Sequence, residues 1–219
     1  MSVPLLATLI LAVYRKTRGK LPENKIKLYD MFVELLAGGW DAAKNLNRAS
    51  RFGSSTKLTV LTRIAGRLHH AGIRECEELE IGIAIREVLP GLADQKRELI
   101  GELLQDGILS RTSTKFMFSH HSFQESLAVR DLASRGERRV KAVLQGYLTG
   151  DDWWAEAIKF YLGRSSDPIR MSSLIKEIVA DLWDESDDDS EEDSSKERGA
   201  ALIEVLKQLF PGFMDSTKR

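Results

Sequence analysis

The sequence predicts a mainly α protein: a helical hairpin plus a winged-helix domain with a small β-hairpin, followed by a second helical domain. Three observations predict it. Apolar residues recur at three- and four-residue steps through most of the chain. Ile108–Arg111 and Lys115–Phe118 flank Thr112-Ser113-Thr114 as the two arms of one hairpin. Three helical patterns precede that hairpin, which is the order of a winged helix.

The elements follow in sequence. Pro4 suits the first turn of a helix running to about Arg18, and Gly19 stops it. Pro22 restarts the pattern, with Ile26, Tyr29, Phe32, Val33 and Leu36 on one face as far as Gly38-Gly39. Residues 40–56 include the polar and Gly/Ser-containing runs 45–48 and 52–55 and read as a loop, with a short helix within it as the alternative. Leu58, Leu61, Ile64, Ala65 and Leu68 form the next face, closed by Ala71-Gly72; Glu78–Val88 and about Ala93–Gln105 supply two further helices. After the hairpin, Ser122 and Glu125 make a Ser-x-x-Glu capping box for a helix to about Arg135. Helices around Val140–Tyr147, Trp153–Tyr161 and Met171–Leu182 follow, the last opened by Asp167-Pro168. Residues 184–198 hold no apolar side chain and are expected to be a disordered acidic linker before a short amphipathic helix through Leu202 and Leu206. The expected division is 1–39, 40–121, 122–183, 184–198 and 199–219.

Composition narrows the function classes. A chain of 219 residues, 42% hydrophobic and 30% charged, has the make-up of an ordinary globular protein with a core. The formal net charge of −1 conceals an asymmetry: residues 1–74 carry 13 Lys+Arg against 4 Asp+Glu, and residues 181–193 carry 9 acids and no base. The balance argues against general nucleic-acid affinity. One cysteine, Cys76, suits a reducing cytoplasm. The uncharged stretch Val3–Tyr14 is about half the ~20 residues a membrane span needs and lacks a basic start, so it is expected to be a buried helix.

Chemistry concentrates in Phe118-Ser119-His120-His121-Ser122-Phe123-Gln124-Glu125-Ser126-Leu127-Ala128. A histidine at a strand-to-helix junction lies beside unpaired N–H groups that favour anions. This Phe-x-His-x-Ser-Phe-Gln-Glu-x-Leu-Ala pattern resembles the one that closes the winged-helix domain of NACHT-type STAND NTPases, the group that includes NOD-like receptors and many bacterial defence proteins. Val3-Pro4-Leu5-Leu6-Ala7-Thr8-Leu9, with Tyr14-Arg15, Gly19–Pro22 and Leu28-Tyr29, is similar to the first helical domain that follows the nucleotide-binding core there. The resemblance covers about residues 3–170. It implies that His120 reaches the phosphate of bound ADP, that Pro4 packs near the adenine, and that the chain is a regulatory arm in antiphage or innate-immune-like defence. It also implies a nucleotide-binding core as partner, in cis or trans, and a homo-oligomer in the activated state. ADP or ATP with Mg would be held only together with that core; no cofactor is expected for this chain alone.

No Gly-x-x-x-x-Gly-Lys-Ser/Thr loop and no apolar strand ending in a magnesium-holding Asp occurs, so the chain is not expected to hydrolyse ATP by itself. His69, His70, His120, His121 and Cys76 lack zinc-site spacing, and the acids around Cys76 oppose a reactive thiolate, so neither a metal nor a catalytic residue is assigned. Two alternatives stay open. A winged-helix DNA-binding module is disfavoured because the third helix carries Lys96 and Arg97 among Asp94, Glu98, Glu102 and Asp106. A sensor or scaffold would bind a foreign or host protein through the 122–182 helices.

Overall fold

A computed structural model describes residues 5–39, 50–185 and 189–210. The protein is mainly helical with one small antiparallel sheet. Two compact units divide it, Met1–Ala128 and Val129–Arg219. The helical pair and the winged-helix elements lie together in the first unit, with the opening turns of the helix after the wing.

In the first unit α1 (Leu5–Lys16) buries Leu9 and Val13 and packs on α2 (Lys25–Glu34), which buries Ile26, Tyr29, Phe32 and Val33. Helix α2 starts three residues after Pro22, because Asn24 is the cap: its Oδ1 accepts from the Lys27 N–H at 2.9 Å. A π-helical turn at Leu35–Gly39 leads on. Helix α3 (Ser54–His70) begins inside the expected loop. Its first turn, Ser54-Ser55-Thr56, is polar because it faces out, so composition alone reads it as loop.

The end of α3 fixes the sheet. Gly72, at φ +67°, lets the chain close a Schellman turn, with the Gly72 N–H on His69 O (3.1 Å) and the Ile73 N–H on Leu68 O (3.0 Å). The chain then makes β1 (Glu75–Cys76), α4 (Glu78–Val88), a 3-10 turn at Pro90–Gln95, and α5 (Lys96–Gln105). Strands β2 (Leu109–Thr112) and β3 (Lys115–Phe118) form the expected hairpin with the first arm shifted by one residue: Thr112, expected in the turn, pairs with Lys115, and Leu109 stands opposite Phe118. Strand β1 pairs with the outer side of β3, Cys76 opposite Phe116, so the sheet has three strands in the order β1-β3-β2. Two residues carry no alternation to detect.

Helix α6 (His121–Ser134) passes from the first unit into the second. The second unit holds α7 (Glu137–Leu148), a 3-10 turn at Asp152–Trp154, α8 (Ala155–Arg164), α9 (Pro168–Glu185) and α10 (Asp189–Leu209). Asp151 caps the 3-10 turn, and Asp167 caps α9 by accepting from the Arg170 N–H at 2.9 Å. Trp154 is buried and Trp153 half-buried.

The expected linker at 184–198 is corrected by these helices. Asp184 and Glu185 finish α9, and α10 starts at Asp189 and runs unbroken past residue 199. The cause is a stripe of small residues invisible to a hydrophobicity pattern. Ser195, Gly199, Leu202 and Leu206 are buried on one face of α10, which packs on α7, α8 and α9. Ser195 Oγ donates to Leu148 O at 3.2 Å, and Arg198 donates to Tyr147 O at 3.2 Å and to Asp152 Oδ1 at 2.6 Å. Ser195 and Arg198 thus bind the neighbouring end of α7 and the turn after it.

Candidate functional site

His120 ends the short link from β3 to α6. Upstream, the Ser119 N–H donates to Ile108 O at 3.0 Å and ties the link to the start of the wing. Downstream, the Phe123 N–H donates to His120 O at 2.9 Å and the Ser122 N–H donates to His120 Nδ1 at 3.3 Å. His120 is therefore the N-cap of α6. The capping box expected from Ser122 and Glu125 does not form, because the helix begins two residues earlier than that box requires and places Ser122 in its first turn. Glu125 is buried and instead approaches His121, Oε1 to Nε2 at 3.4 Å.

The cap decides the chemistry of the His120 ring. Nδ1 accepts an N–H, so the neutral imidazole carries its proton on Nε2 and presents an Nε2–H donor. The ring is half-buried against Phe123 (centroids 5.9 Å) and Tyr29 of α2 (6.3 Å). Tyr29 also contacts Phe123 at 5.9 Å and Phe32 at 5.5 Å. One turn earlier on α2, the Lys25 Nζ stands 5.8 Å from the Tyr29 centroid. A histidine and a lysine thus each approach the Tyr29 ring.

The rest of the motif is the support for this junction. Phe118 and Phe123 are core residues, and Leu127 and Ala128 continue the buried face. Gln124 is buried and donates from Nε2 to Ile73 O at 2.9 Å, which pins α6 to the turn that ends α3. Beneath it, fully buried His69 lies 6.1 Å from His121, centroid to centroid. Burial, with His121 and His70 nearby, pushes His69 down to about 3; burial, with Arg74 and His120, lowers His121. This pair is neutral at neutral pH.

Pro4 lies outside the described residues. Cys76 is buried, and its thiol is pushed up to about 12, by burial first and then by Glu80; the flanking Glu75, Glu77 and Glu78 are not the cause. Among the described residues no group of three His, Cys, Asp or Glu side chains is placed to hold a metal ion, and no helix is long and apolar enough to cross a membrane.

The charges of the third helix of the wing motif, α5, are largely spent inside the unit. Lys57 of α3 is 1% exposed and pairs with Glu102 at 2.9 Å and Asp106 at 2.7 Å. Glu102 also accepts from Ser50 Oγ and the Arg51 N–H, each at 2.8 Å. Lys96 pairs with Glu78 at 3.2 Å. Sequence reasoning missed Lys57, Tyr29 and Lys25 as partners of these sites. Periodicity put Tyr29 inward, but nothing in the linear order brings it to a histidine 91 positions later.

Comparison of the chain with protein-family models, with curated proteins and with solved structures returns no match.

Proposed function

We propose that this chain is the regulatory arm of a NACHT-type signalling NTPase, coupling ADP or ATP state to domain rearrangement and oligomerisation. The observation that carries the reading is the capped His120 imidazole, whose bond from Ser122 leaves Nε2–H as a donor on a ring packed against Tyr29. The nucleotide is held by a core domain acting in cis or trans, and Mg comes with it. In the resting arrangement His120 Nε2–H donates to a phosphate oxygen of ADP. A single hydrogen bond to phosphate is weak enough to break when the nucleotide changes, so the contact biases a two-state arrangement rather than locking it. The arm acts in the cytoplasm, in antiphage or innate-immune-like defence. The DNA alternative gains nothing from the internal pairing of α5 charges.

The test adds a matching nucleotide-binding core in trans and measures its affinity for the chain with and without ADP. Two variants separate the roles of His120. His120→Asn keeps a capping side chain and lacks the imidazole donor; His120→Ala lacks both and loses about 1 kcal/mol of stability. ADP is expected to tighten the wild-type complex about tenfold, the effect of one charge-assisted hydrogen bond, and to leave both variants unchanged. Equal ADP dependence in wild type and His120→Asn would sink the reading.

A further inference from the structure

The stretch expected to be a buried helix is buried on one side only. Leu9 and Val13 are buried where α1 packs on α2, while Ile10, Leu11 and Tyr14 are 38%, 57% and 48% exposed. Of the seven large apolar side chains that stand exposed among the described residues, four lie between positions 10 and 21, the fourth being Leu21. One exposed leucine is ordinary, but a group of them along one helix marks a surface that a partner covers.

The charges beside that face narrow the partner. Arg15, Lys16, Arg18 and Lys20 are all exposed, and no acid occurs before Glu23. Among the described residues no carboxylate pairs with any of the four, whereas Lys27, Lys57, Arg63, Arg67, Lys96 and Lys115 of the same unit are each paired. The carbonyl end of the helix dipole accounts for Arg15 and Lys16. It does not account for Arg18, which closes the helix at φ +54°, a conformation that glycine takes without cost and arginine does not. The turn itself is hydrogen-bonded, with the Gly19 N–H on Tyr14 O at 2.8 Å and the Arg18 N–H on Arg15 O at 3.3 Å, so the cations are held at the end of the apolar stretch.

A partner must therefore bring negative charge and apolar contact together. A second copy using the same face brings no carboxylate to match the cations. An acidic protein and an anionic lipid surface both meet the requirement, and the layout favours lipid. In protein interfaces the polar groups ring an apolar centre. Here the change runs one way along the chain: uncharged from Leu5 to Val13, then Tyr14 with its polar tip, then cations. That is the order met on passing from hydrocarbon through the interface to anionic headgroups. Neither three inserted side chains nor four cations would hold a bilayer firmly, but the two act together.

We propose that the outer face of α1 and the turn after it bind an anionic lipid surface peripherally, with Ile10, Leu11 and Tyr14 at the acyl boundary and Arg15, Lys16, Arg18 and Lys20 among the headgroups. The surface goes beyond the nucleotide reading and does not use His120.

The full chain is mixed with phosphatidylcholine vesicles, with and without phosphatidylserine, and binding is read by flotation at low and high salt. Binding to the phosphatidylserine vesicles is expected to exceed that to the neutral ones by about tenfold or more and to fall as salt rises. Lys16→Gln combined with Lys20→Gln is expected to weaken it about 25-fold, at about fivefold per cation. Leu11→Ser is expected to weaken it about tenfold or more through lost apolar contact. All three positions are exposed, so the melting temperatures of these variants are expected to match the wild type. No flotation with phosphatidylserine vesicles, equal flotation with neutral ones, or variants that float as well as the wild type overturns the proposal. Salt-sensitive binding to polyglutamate without flotation on vesicles assigns the face to an acidic protein and overturns it as well.

Discussion

His69 shows how one residue can set a pH dependence that its neighbourhood makes readable. It is fully buried in the apolar interior of the first unit, and burial, with His121 and His70 nearby, lowers its pKa from 6.5 to about 3. The unfolded chain then binds one more proton than the folded chain between those values, so stability rises with pH across that window and falls as pH drops below 6.5. The loss from this group is about 2 kcal/mol by pH 5. Urea denaturation from pH 7 to 5 is expected to show that slope, and His69→Gln to flatten it. A wild-type slope retained by the variant would assign the proton uptake elsewhere. His120, by contrast, was singled out from sequence because a histidine before a helix start is a recognisable pattern. Its tautomer was not legible, because that follows from where the Ser122 N–H falls once α6 begins at His121.

Elements are joined in this protein by polar contacts as much as by apolar faces. Lys57 ties α3 to α5 through Glu102 and Asp106. Burial would lower the Lys57 pKa, but its bonds to Asp106 and Glu102 outweigh that and leave it raised. For Glu102 burial likewise opposes, and its bonds from Lys57, Ser50 and Arg51 win and lower it. The Lys57 contribution is thus present at and below neutral pH and lost only as pH rises past 10.5; the Glu102 contribution is present above 4.5 and lost as pH falls below it. Lys57→Met leaves two acids without their cation and is expected to cost about 3–5 kcal/mol by chemical denaturation. A cost below 1 kcal/mol, roughly the worth of a surface pair, would show the triad to be solvated. Two glycines, one in each unit, give a paired test of close packing. A Cβ on Gly199 of α10 would stand 2.8 Å from Val179 Cγ2, whereas one on Gly101 of α5 meets nothing within 4 Å. Gly199→Leu is expected to destabilise by about 1–3 kcal/mol and Gly101→Ala to stabilise by up to about 1 kcal/mol. Thermal melts that moved the same way for both would refute the close approach of α10.

At the scale of the whole molecule the acid-sensitive groups are unevenly shared. His69, His121 and Glu102, whose pKa values are all lowered at buried or half-buried sites, belong to the first unit. In the second, the lowered acid is Asp152, held down by the Arg198 hydrogen bond at the surface. Hydrogen exchange, corrected for its intrinsic pH dependence, is therefore expected to rise in peptides from 50–128 between pH 7 and 5 while those from 137–182 hold their protection. Loss of protection in step across both stretches would show that they unfold as one. The sequence by itself determined the helix order and the presence of the hairpin, because each rests on neighbours within a few positions: apolar period, turn residues and caps. Tertiary structure alone decided the third strand, the burial of Lys57, the Tyr29–His120 contact and the helical course of residues 189–198. Each of these depends on a partner dozens of positions away: β3 for β1, Glu102 and Asp106 for Lys57, α2 for His120, and the Leu148 carbonyl and Val179 for the Ser195–Gly199 face. A polar or small residue looks like linker until the group that satisfies it, or the helix that needs its small size, is brought alongside.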